Sequence, residues 1–109
     1  SVESVESVES VDGEYIVKYG TKELRSTMYH SIPTIGVIKV KKGVLSYNIN
    51  YLGLVRSGKF TYEIKDDSTV LFNGASIGVI KENTRIKGDI IVELNSRFNN
   101  YELILEKKL

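Results

Sequence analysis

The chain has 109 residues, 41% hydrophobic and 27% charged, which suits one globular domain with a single core and is unlike a disordered segment. Its 15 basic and 14 acidic residues leave a net charge of +1, so no broad field favours nucleic acid or an anionic membrane. The lack of cysteine excludes a disulfide framework and a thiolate metal site, and no apolar run approaches the ~18–20 residues that span a bilayer.

Residues 1–12, SVESVESVESVD, are tandem Ser-Val-Glu triplets. A period of three matches neither strand nor α-helix, so no face collects the valines, and Glu3, Glu6, Glu9 and Asp12 repel one another. The segment reads as an acidic spacer or arm ahead of a single domain at 13–109, and its removal is expected to leave folding nearly unchanged. It is also the stretch through which the chain would contact a neighbouring copy. A start at Ser1 rather than Met fits a processed or trimmed chain, with any membrane attachment made through a lost N-terminal anchor.

The domain opens with Glu14–Tyr19, where Tyr15, Val17 and Tyr19 alternate with Glu14, Ile16 and Lys18. Thr21–Ser31 lacks strand character. Thr21 can cap a short helix with Leu24 and Met28 at i,i+4, so one or two helical turns or an irregular flap are expected, ended by Pro33. From there the chain reads as strand and turn. Ile35–Lys41 meets the Lys42-Gly43 turn, and Val44–Leu52 returns with Leu45, Tyr47, Ile49 and Tyr51 on one face and Ser46, Asn48 and Asn50 on the other. Gly53 and Gly58 bracket a connection into Gly58–Lys65, whose partner Thr69–Phe72 follows the Asp66-Asp67-Ser68 turn.

Asn73-Gly74 is the strongest short hairpin signal, because a type I′ turn needs positive φ at both central positions. Ala75–Lys81 follows, with Gly78 marking a bulge or close backbone approach. Glu82-Asn83-Thr84 turns into Arg85–Leu94, Asn95–Asn100 is a loop, and Tyr101–Lys107 closes the chain. The expected fold is all-β: an antiparallel up-and-down meander of about eight strands closed into a small barrel, first strand against last. A β-sandwich is the alternative.

The opening Gly13-Glu14-Tyr15, the short flap, the hairpins Lys42-Gly43, Gly58-Lys59-Phe60-x-Tyr62-x-Ile64 and Ile77-Gly78-x-Ile80, and the closing Tyr101–Lys108 resemble the small lipocalin-like domains of bacterial envelope lipoproteins. Tyr15 stands where larger lipocalins carry tryptophan. The resemblance implies an extracytoplasmic binding module, in the cell envelope or secreted, with immunity-type sequestration of antimicrobial peptides among its uses. The residues themselves equally allow the cytoplasm.

Little in the chain suggests catalysis. His30 is the only histidine, which excludes a two-histidine metal site, and its sequence neighbour Ser31 would not face it productively. Asp66-Asp67 sit at a solvated hairpin tip, Glu82 and Asp89 lie near turns, and no phosphate or calcium loop is present. No enzyme, cofactor or metal is expected. The tyrosines carry more information. Tyr15, Tyr19, Tyr47, Tyr51, Tyr62 and Tyr101 fall on the face read as inward, with Phe60 and Phe72. They either fill a solid barrel or line a cup gated by Thr21–Ser31. A further arrangement has Ser46, Asn48 and Asn50 lining the pocket while the tyrosines face a partner.

The candidate ligand-binding set is Tyr47, Tyr51, Tyr62, Phe60 and Phe72, for a small apolar or peptide ligand. Basic residues scattered among acids do not make a nucleic-acid groove. A structural or assembly subunit, viral or surface, using the N-terminal arm is the other reading.

Overall fold

The structure, a computed structural model, describes residues 11–25, 28–51 and 53–108. The Ser-Val-Glu arm at 1–10, and with it the self-contact expected there, lies outside the described residues, as do the side chains of Leu24, Met28 and His30.

Nine strands run among the described residues: β1 Gly13–Arg25, β2 Met28–Ile32, β3 Thr34–Lys41, β4 Val44–Tyr51, β5 Leu54–Lys65, β6 Ser68–Asn73, β7 Ala75–Glu82, β8 Ile90–Leu94 and β9 Glu102–Lys107. Each strand from β3 to β9 pairs antiparallel with the next, and β1 pairs with both β3 and β9. Eight strands therefore close an antiparallel meander barrel. Alternation puts one side of each strand in the core, where Tyr15, Ile38, Leu71, Ile77, Ile90 and Leu105 are fully buried. Each such side chain contributes roughly 1.5–3 kcal/mol by leaving water. The outer wall is charged, with Lys39 paired to Glu14, Lys18 to Glu106 and Lys81 to Glu93.

Within Thr21–Ser31 the described residues are strand rather than helix. β1 continues through it to Arg25, and Gly20–Arg25 pairs with Met28–Ile32 of β2. The last pairing of β1 with β9 is Thr21 to Glu102, so beyond it β1 and β2 pair only with each other, as a two-stranded ribbon. Here ladder pairing outweighs a weak local i,i+4 preference. Pro33, with no N–H to donate, separates β2 from β3 along the same edge of β1.

Other boundaries move for local reasons. The strand expected over Arg85–Leu94 is confined to Ile90–Leu94. Before it the chain coils into a loop, with Asn83 N donating to Asp89 O, Asp89 N to Ile86 O, and Arg85 N to Asn83 Oδ1. Asp89 is buried and accepts from Lys107 N at 3.0 Å, tying that loop to β9. The expected Gly53–Gly58 connection is already strand from Leu54, after a turn in which Asn50 Oδ1 accepts from Gly53 N.

The paired positive φ values that a type I′ turn needs occur at Lys42-Gly43 and Asp66-Asp67. At Asn73-Gly74 only the glycine has positive φ. Gly78 is a close approach, since a Cβ there would collide with Glu93 O. Tyr19 points outward, 44% exposed, because the β1–β9 register shifts between Val17 and Tyr19 and reverses the alternation.

Candidate functional site

The two ends of the barrel differ. At the end that carries the Lys42-Gly43 and Asp66-Asp67 turns, the interior is sealed. Val11, only 4% exposed, joins the core, and Tyr15 Oη donates to its carbonyl at 2.9 Å. Tyr62, also buried, donates to Asp12 Oδ1 at 2.7 Å. Val11 and Asp12, assigned to the spacer on sequence, are thus packed parts of the barrel. Burial, with Asp12, Asp89 and Tyr62 adding, pushes the Tyr15 phenol up to about 12. Burial and the bond to Asp12 likewise raise that of Tyr62. These two tyrosines are structural closures.

At the opposite end lies a cavity of about 470 Å³, within the roughly 300–1,000 Å³ of small-molecule pockets. Ile38, Leu45 and Val92 form its depth and Ile49, Leu94 and Leu103 its walls. Tyr47 and Phe60 stack with ring centroids 5.1 Å apart, and Tyr51 meets Tyr101 edge-on at 5.5 Å. Leu54, 55% exposed, stands at the mouth. Two of these rings lie over glycines. A Cβ on Gly58 would come within 2.6 Å of Tyr47 Oη, and one on Gly20 would collide with Tyr101. Bare backbone on β5 and β1 is therefore what lets the aromatic wall lie flat. The Tyr101 hydroxyl is hydrogen-bonded to Thr34 Oγ1.

One wall comes from the loop between β8 and β9. Asn95 Oδ1 accepts from Arg97 N and caps a single 3-10 turn, Ser96–Phe98, while Asn95 Nδ2 holds Ser76 O on β7. Asn99 and Asn100, both at positive φ, return the chain so that Leu94 N reaches Tyr101 O. Arg97, Phe98 and Asn99 are thereby presented to the cavity.

Of the candidates from sequence, Tyr47, Tyr51 and Phe60 line this space. Tyr62 sits in the sealed end. Phe72, next to fully buried Leu71, is on the outer wall with Lys65 Nζ 5.0 Å from its ring centroid. The β6–β7 register shift between Leu71 and Phe72 marks where its strand departs from regular pairing. The β1–β2 ribbon rises from the cavity's end of the barrel. Arg56, Arg97 and Phe98 were not singled out on sequence. The asparagines flanking Ser96–Phe98 were the available signal, since Asn favours caps and left-handed positions.

Outside the cavity, Glu93 and Glu102 oppose each other across β8 and β9. Burial first, and Glu93 second, raise the Glu102 carboxyl above its usual range, while Lys81 partly offsets this. Among the described residues no group of three or more His, Asp or Glu could hold a metal ion. A scan of protein-family models, a search of curated proteins and a search of solved structures each returned no match to this chain.

Proposed function

We propose that the protein is a non-enzymatic binding module of the cell envelope that holds a small apolar or peptide ligand in the open end of its barrel. The observation that carries this reading is the cavity itself. A barrel of this size can be filled by its own side chains, yet here its open end holds an aromatic-lined space of about 470 Å³. The envelope setting and a sequestering, immunity-type use rest on the resemblance of the Gly13-x-Tyr15 strand and its hairpins to envelope lipoprotein domains.

Titration with a neutral, environment-sensitive fluorophore tests the reading. Saturable enhancement with one site per chain is expected, weakened at least tenfold in Tyr47→Ala through loss of the stacking wall. A flat titration of the folded protein would sink the proposal.

A further inference from the structure

The cavity is apolar in its depth, but its rim has a sign. Of the charged side chains that line it, Arg56 and Arg97, both are basic. In a chain with 15 basic and 14 acidic residues, a lining with two cations and no acid is a local departure from balance. The ion pairs of the described residues use Lys18, Lys39, Lys65 and Lys81, each with a glutamate, and none includes either arginine. Separate elements deliver the two. Arg56 comes from β5, in register with the lining residue Ile49 of β4, and Arg97 from the capped turn between β8 and β9.

An apolar ligand filling the space would end against the exposed guanidinium groups of Arg56 and Arg97 and displace part of their water. Desolvating an uncompensated cation is unfavourable, whereas an anion on the ligand would restore the lost hydrogen bonds through forked, charge-assisted contacts. A ligand with a cationic head would meet two like charges.

We propose, on the footing of the binding-module reading above, that the ligand is an apolar chain ending in a carboxylate, its tail between Tyr47 and Phe60 and its head held by Arg56 and Arg97. Two sources share that chemistry: a fatty carboxylate, and the free C-terminus of an apolar peptide.

The test displaces the neutral fluorophore with dodecanoate, dodecanol and dodecyltrimethylammonium, and with one apolar peptide as free acid and as amide. Dodecanoate is expected to bind at least about tenfold more tightly than dodecanol, with the ammonium weakest. In the Arg56→Gln, Arg97→Gln double variant the ratio of dodecanoate to dodecanol affinity should fall to near unity. Arg56→Lys should keep part of it, and unchanged melting of each variant shows that folding is intact. A preference for the free-acid peptide over its amide larger than that of dodecanoate over dodecanol assigns the peptide source, and the reverse assigns the lipid. Equal binding of acid, alcohol and ammonium, or a preference that survives the double variant, overturns the anionic head while leaving the cavity's binding role standing. No binding of any probe overturns both.

Discussion

Tyr15 shows how one side chain couples the closure of the barrel to pH. Its ring is fully buried and its hydroxyl donates to Val11 O, while Asp12 and Asp89 make a phenolate there still less favourable. The folded chain holds this proton to about pH 12, against the ordinary 10.0 of an exposed phenol. The raised value makes the neutral form's stability fully present below pH 10 and progressively lost as pH rises toward 12. Tyr15→Phe removes the titrating group and one hydrogen bond. It should cost about 1 kcal/mol at neutral pH and flatten the decline of stability between pH 10 and 12. Denaturant midpoints measured across that range check it, and an unchanged alkaline slope would mean that Tyr15 does not titrate with folding. Tyr62 and Tyr101, both raised chiefly by burial, should leave a residual slope in the variant.

At the scale of elements, the start of β1 decides where the domain begins. A chain starting at Gly13 lacks Val11, whose burial is worth about 2 kcal/mol, and lacks both acceptors of the buried Tyr15 and Tyr62 hydroxyls, a further ~1–3 kcal/mol. Relative to a chain starting at Val11, it should unfold at clearly lower urea, and equal midpoints would show that the sealed end holds without residues 11–12. The sequence hid this because Val11 looks like one more valine of the Ser-Val-Glu repeat, and its burial depends on distant strands.

The regular hairpins were legible for the opposite reason. In β4 and β5 the period of two and the Lys42-Gly43 and Asp66-Asp67 turns are local signals that the tertiary fold reinforces. Local signals failed where pairing overrode them. The β1–β2 ribbon looked helical because Leu24 and Met28 are four apart, and Tyr19 looked inward because no residue announces the register shift after Val17. The site was half legible on the same grounds. Tyr47, Tyr51 and Phe60 follow from strand alternation, whereas Arg97 and Phe98 reach the cavity through a loop whose path is set by Asn95, Asn99 and Asn100.

Over the whole molecule, closure of β1 on β9 makes one barrel with two unlike halves, and tyrosines serve opposite purposes in them. In the sealed half Tyr62 is 6% exposed, packed in the core and hydrogen-bonded to Asp12. Cutting it to alanine removes transfer free energy and leaves a void, so Tyr62→Ala should cost about 3–5 kcal/mol. In the open half Tyr47 already has empty space along one side, because its ring borders the cavity while stacking on Phe60. Fewer packed contacts are lost there, so Tyr47→Ala should cost clearly less, about 1–2 kcal/mol, close to the worth of its aromatic pair. Binding should respond in the reverse order. Tyr62→Ala, measured where the variant remains folded, leaves the cavity wall intact and should bind the neutral fluorophore as the parent does, whereas Tyr47→Ala should lose it. The two variants together form a crossed pattern that general destabilisation cannot produce, since that would move stability and binding in the same direction. If Tyr47→Ala proved as destabilising as Tyr62→Ala, the open half would be packed in solution and the division of the barrel would have to be abandoned.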